Sequence, residues 1–132
     1  MFFKIKHSGF SLVEVMIVVV IIGILASLAY PSMEKYLLTS RQTEAKTNLM
    51  AVYTAQKIFH STQRKYAADL KELGISFDQS DSAIYSYAMK TEDSEQAYLV
   101  TATGNLDSDD TIDTWTVDHM KNLINTVNDV LE

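Results

Sequence analysis

Apolar residues fill the chain from Phe10 to Tyr30, with Ser11, Glu14, Gly23 and Ser27 as the main breaks. At about 1.5 Å per residue a helix of this length crosses the roughly 30 Å of hydrocarbon in a bilayer. After Pro31 the pattern changes. Ala45, Leu49, Val52, Gln56 and Phe59 recur at spacings of three and four, with Tyr53 and His60 beside them and Lys46, Asn48 and Lys57 off the stripe. That period predicts an amphipathic helix with one buried face. The two stretches together predict one long helix over residues 10–62, interrupted at Pro31, which lacks an amide donor and crowds the preceding turn. Gly23 is a second weak point, because glycine lowers helix propensity by about 1 kcal/mol relative to alanine.

The period shortens further on. Arg64 to Leu73 reads as a connector with a helical turn stopped at Gly74. Ile84, Tyr85, Tyr87 and Met89 fit a first strand, and Tyr98 to Thr103 a second, joined by an acidic loop from Glu92 to Glu95. Gly104 to Asp113 is a turn region, and Trp115 to Val117 a short third strand. Met120, Ile124, Val127 and Leu131 return to helical spacing and predict a short C-terminal helix. The expected fold class is α+β, with a small antiparallel sheet packed on the C-terminal half of the long helix.

Size limits what this can be. Of 132 residues, about half remain for a globular head over residues 63–132, and so small a head needs the helix as one of its layers. The chain has no cysteine, so no disulfide staples it. The net charge is −6, unevenly spread: bases outnumber acids from Met33 to Glu72, whereas twelve acids face Lys90 and Lys121 from Asp78 to Glu132. A basic stem and an acidic head suit stacking of copies through unlike surfaces. A solvated polar surface with chance asymmetry accounts for the same charges. The acidic balance sets the chain against nucleic acid.

The start of the chain carries the sharpest chemistry. Lys4, Lys6 and His7 precede Gly9-Phe10-Ser11-Leu12-Val13-Glu14. A carboxylate inside an apolar segment is costly unless a cation or a proton meets it. A secretory signal would put Glu14 in its apolar core and leave Pro31 at the second position of the product. A simple one-pass anchor leaves Glu14 without a reason. Gly9, Phe10, Glu14 and the apolar run instead resemble the signal of type IV prepilins. The resemblance extends to Arg41 through Leu49, to Thr54-Ala55-Gln56, and loosely to Tyr66, Leu70, Leu73-Gly74 and Thr111 through Val117.

That family implies a leader of residues 1–9, cut after Gly9 by a prepilin peptidase at the inner membrane, and N-methylation of Phe10. It implies a helical filament built by a pilus assembly machinery, with residues 10–30 first in the membrane and then in the filament core. Glu14 would pair with the Phe10 amine of a neighbouring copy, and the stretch from Gly23 to Pro31 would unwind on assembly. The expected role is a structural pilus subunit used for attachment, twitching motility or related surface functions. The alternatives are a minor pilin, one for DNA uptake included, a type II secretion pseudopilin, or a signal-anchored binding protein that never polymerises. The expected partners are copies of the chain itself, with no nucleic acid.

No arrangement of Ser, His and Asp resembles a catalytic site, and no catalytic residue is expected. His7, His60 and His119 show no metal-ligand spacing. Asp107, Asp109, Asp110 and Asp113 crowd one turn, and alternating carboxylates of this kind can hold calcium. A solvated acidic turn is the default reading of such residues. The spacing does not fit an EF-hand, which needs glycine at its sixth position and glutamate at its twelfth.

Overall fold

In the computed structural model a single helix, α1, runs from Leu12 to Gln63 and is followed by four strands. The residues described are 9–77, 80, 83–92 and 95–130. The leader before Gly9, most of the loop before Ala83, part of the Glu92–Glu95 turn and Leu131 lie outside them. The chain divides into two units, Met1–Tyr36 and Leu37–Glu132.

In the first unit, residues 9–36 are all exposed. Helix α1 passes through Gly23 and Pro31 without a break. Its start is fixed locally. The Ser11 amide donates to the Glu14 carboxylate at 2.7 Å, and the Glu14 amide donates to the Ser11 hydroxyl at 3.2 Å. This reciprocal pair is a capping box, which satisfies amides that the first helical turn cannot.

In the second unit, α1 buries Gln42, Ala45, Leu49, Val52 and Gln56, spaced three and four apart. The stripe matches the one the sequence predicts, extended by one turn at Gln42, while Phe59 is half-buried. Arg64 ends the helix with a φ of 61°, its amide reaching the His60 carbonyl at 2.9 Å. The connector then turns back along the helix. Gln56 holds it, donating to the Ala67 carbonyl at 3.1 Å and accepting from the Ala67 amide at 2.9 Å. Gly74, with a φ of 68°, stops the next turn as expected.

Strands β1 (Ser86–Thr91), β2 (Tyr98–Gly104), β3 (Asp113–Asp118) and β4 (Leu123–Val127) form an antiparallel sheet in sequence order. Tyr98, Val100 and Ala102 of β2, with Trp115 and Val117 of β3, are buried in one core with Ala45, Leu49 and Val52 of α1. Val100 pairs with Val117, Ala102 with Trp115, and Gly104 with Asp113. At Gly104 a Cβ would stand 2.3 Å from the Ile84 carbonyl oxygen and 2.9 Å from Tyr85 Cδ1. Only glycine lets the segment entering β1 pass this close.

The expected C-terminal helix is replaced by β4. The residues that suggested it, Met120, Ile124 and Val127, are the ones left exposed. The turn before β4 decides the outcome. Asp118 accepts from the amides of Met120 and Asn122, both at 2.9 Å, and from Asn122 Nδ2 at 2.7 Å, while Lys121 adopts a φ of 69°. That side-chain network closes a hairpin onto β3, and Ile124, Thr126 and Val127 favour a strand once it is closed. The third strand is longer than the predicted Trp115 to Val117, because β2 offers a ladder over all of Asp113–Asp118.

Candidate functional site

The first candidate is the N-terminal stretch itself. Phe10, Leu12, Val13, Val15 and most apolar side chains up to Leu28 are more than half exposed. Among the described residues, nothing in the first unit covers them. A surface this large and apolar requires lipid or other copies of the helix. Gly9 and Phe10 lie just before the cap at Ser11, outside the helix. The scissile bond expected between them is therefore in non-helical backbone. Glu14 is one turn inside, with its carboxylate held by the Ser11 amide.

Ser11 was legible as part of the Ser-x-x-Glu spacing of a capping box, a signal that the resemblance to a leader overshadowed. Gly23 and Pro31 sit within the exposed helix, and the Ser27 hydroxyl between them donates to the Ile24 carbonyl at 2.8 Å.

The second candidate is the acidic turn between β2 and β3. The four aspartates expected there go separate ways. Asp107 and Asp109 are exposed, and each fixes its own turn: Asp107 accepts from the Asp109 amide at 2.8 Å and Asp109 from the Thr111 amide at 2.6 Å. Asp129, from the segment after β4, joins them. One carboxylate oxygen of each of the three lies within 4.8 Å of the others. Asp110 is exposed and outside this group. No local spacing in the sequence marks Asp129, since the hairpin of β3 and β4 brings it there. Burial pushes its carboxyl above the usual aspartate range; the Leu106 amide opposes this, and Asp107 and Asp109 reinforce it.

Asp113 is fully buried at the centre of the head. Its Oδ1 accepts from Gln42 Nε2 at 2.9 Å, Asn125 Nδ2 at 3.1 Å and the Asp129 amide at 3.2 Å. Its Oδ2 accepts from the Tyr85 hydroxyl at 2.5 Å and Trp115 Nε1 at 2.8 Å. Helix, sheet and C-terminal segment thus meet on one carboxylate. Burial and the bond to Asp113 hold the Tyr85 phenol far above its ordinary value, so it stays a donor.

Comparison with known proteins gives these features a family. Residues 4–30 match the prokaryotic N-terminal methylation motif. Residues 31–112 match the family described as type IV minor pilin ComP, DNA uptake sequence receptor. The chain belongs to the type IV pilins. Among similar pilins, the type IV major pilin protein PilA of Myxococcus xanthus (strain DK1622) is 43% identical over 93 residues, which are 70% of this chain and 42% of that one. The type II secretion system core protein G of Aeromonas hydrophila is 36% identical over 63 residues, 48% of this chain and 44% of that one. The chain thus spans less than half the length of either relative. A solved type IV pilin from Shewanella oneidensis shares the fold, with a TM-score of 0.52 and 21% identity over 69% of this chain and 94% of that one.

Proposed function

We propose that this pilin is a structural subunit of a type IV pilus filament, used for attachment, twitching motility or related surface functions. The observation that carries the reading is the exposed apolar helix with one carboxylate at its start. Before assembly, lipid covers that surface; in a filament, copies of the same helix cover it. The precursor sits in the inner membrane, a prepilin peptidase cuts it between Gly9 and Phe10, and the new terminus is N-methylated. The assembly machinery then packs residues 10–30 into the filament core, with residues 63–132 outside. Its role is mechanical rather than enzymatic. The description of the matched family includes a DNA receptor, but a net charge of −6 opposes a phosphate backbone.

Processing tests this directly. A side chain at Gly9 should block the peptidase, so Gly9→Val should leave full-length protein in the inner membrane and no sheared filaments. The mass of the mature N-terminus separates the readings: methylated Phe10 fits a pilin, whereas an intact Met1 with normal surface function fits a plain anchor. Filaments at wild-type yield from Gly9→Val cells would end the proposal.

Assembly should also change the helix. Gly23 and Pro31 bound a stretch that lipid keeps helical, because lipid offers no hydrogen bonds to freed backbone groups. Neighbouring helices relax that demand in the filament. Unwinding a few residues, from about 1.5 Å to at most about 3.3 Å each, lengthens the chain by roughly 10 Å and lets core and surface contacts form together. A near-atomic filament map should show the helix lost between Gly23 and Pro31; unbroken helical density there would refute it.

A further inference from the structure

We propose that the acidic turn between β2 and β3 of one head docks on a lysine pair, Lys57 and Lys121, of the next copy, so that heads join end to end. The contact rests on the pilus reading above and names the surfaces it uses. The two patches lie at opposite ends of the second unit. Arg41 donates to the Leu106 carbonyl and Gln42 to Asp113, which sets the turn beside the first residues of α1 in this unit. Lys57 and Lys121 each stand 5.9 Å from the centroid of the Tyr53 ring. The helical path from Arg41 to Lys57 is about 24 Å at about 1.5 Å per residue. The sheet agrees. Gly104 pairs with Asp113 at the acidic end, and Leu99 pairs at the other end with Asp118, which opens the turn holding Lys121.

Neither patch is neutralised within its own copy. Asp107, Asp109 and Asp110 are exposed. One carboxylate oxygen each of Asp107, Asp109 and Asp129 lies within 4.8 Å of the other two, and like charges so close repel. Asp129 is 2% exposed and its Oδ1 has no hydrogen-bond partner, a costly state for a buried carboxylate oxygen. Lys57 and Lys121 are exposed as well. Among the described residues, ion pairing joins Lys65 to Glu95 and involves none of these groups.

A lysine suits the carboxylate group. An ammonium carries three donors and no acceptor. With charge-assisted bonds of about 2.8 Å in tetrahedral directions, it meets acceptors about 4.5 Å apart. One lysine can therefore satisfy the three carboxylates while the second faces Asp110. Tyr53 draws both ammonium groups toward one ring, which limits the freedom they lose on docking. Because the two patches differ and lie at opposite ends, the contact is heterologous. Copies displaced along the helix repeat it without closing, which makes a filament rather than a dimer.

The test treats sheared filaments, and the processed full chain in detergent, with a carbodiimide, which couples carboxylates to amines in direct contact. Mass spectrometry of digested filaments should find Asp107, Asp109 or Asp110 joined to Lys57 or Lys121. The free subunit should lack these links, because the two patches of one copy are too far apart to meet. Lys57→Glu with Lys121→Glu should leave leader cleavage intact and cut the sheared yield at least about ten-fold, since like charges then face each other. Adding Asp110→Lys to that chain should recover part of the yield. Lys90→Glu, at an exposed lysine outside the pair, should leave it unchanged. If the doubly reversed chain does not fold, the links in wild-type filaments decide. Filaments without such links, or at wild-type yield from the doubly reversed chain, overturn the contact and leave the pilus reading standing. A processed wild-type chain that yields no sheared filaments refutes the pilus reading, and the contact falls with it.

Discussion

Filaments should be lost, and leader cleavage should continue, when Glu14 is replaced by alanine. Under the proposed processing, the cut falls upstream at Gly9, outside the helix and away from the Glu14 carboxylate. Assembly involves that carboxylate, under the proposed pairing with the Phe10 amine of a neighbour. Removing one side of a buried ion pair typically costs about 3–5 kcal/mol, because the other charge stays behind unpaired. Repeated at every subunit, that loss should leave sheared filaments undetectable.

The capping box adds a second role that must be separated from the first. In the free subunit Glu14 accepts from the Ser11 amide, so alanine also removes that half of the capping box, leaving the Ser11 hydroxyl on the residue-14 amide. Glu14→Gln keeps an acceptor for that amide and removes only the charge. If charge pairing governs assembly, Glu14→Gln should fail nearly as completely as Glu14→Ala. Normal filaments from Glu14→Gln would assign the residue to the cap. Normal filaments from both would make it a passenger. The two variants are compared in one strain background, by mass of the processed chain and by shear yield.

The residues differ in how much of this could be read before any coordinates. The long helix was legible because its periods, continuous apolar and then three-and-four, are local properties of the sequence. Strands β1 and β2 were legible from β-branched and aromatic residues between turn signals. Strand β4 was not. Met120, Ile124 and Val127 carry a helical spacing, and the Asp118 side chain overrides it through bonds to Met120 and Asn122. A turn network of that kind leaves only Asp and Asn in the sequence, residues that serve many other roles. The acidic turn failed in a similar way. Four aspartates in seven positions look like one cluster, but strand alternation sends Asp113 inward with Trp115 and Val117. Asp129 replaces it from 16 positions further on, the separation of its amide from Asp113. Contacts set by sheet register are not visible to local pattern. Gln42 was missed because a polar residue on a helix face reads as solvent-facing until its buried partners are known.

The head should unfold far more readily when Asp113 is replaced by alanine. This carboxylate is fully buried, faces no cation at ion-pair distance among the described residues, and is satisfied by five neutral donors from Gln42, Tyr85, Trp115, Asn125 and Asp129. Alanine leaves those donors without their acceptor. Gln42 retains a bond to Asn128 Oδ1 at 3.0 Å, and the Tyr85 hydroxyl can rotate, so the losses are not all realised. The Trp115 indole, the Asn125 amide and the Asp129 backbone have no such escape. At about 1–3 kcal/mol for each buried group left unsatisfied, the total loss should be at least about 3 kcal/mol. That is a large share of the roughly 5–15 kcal/mol that holds a domain folded. For a head of this size it should lower the thermal midpoint by more than about 12 °C. Asp113→Asn should fall between wild type and alanine, since it keeps the volume and one acceptor but turns an –NH₂ toward groups that are themselves donors. Tyr85→Phe should cost only about 1 kcal/mol, because the other four bonds persist. The unfolding of the full chain in detergent can be followed through Trp115, the sole tryptophan, whose indole touches the carboxylate in question. An Asp113→Ala midpoint within about 3 °C of wild type, less than the shift of a single kcal/mol, would mean that the apolar core alone holds helix and sheet together.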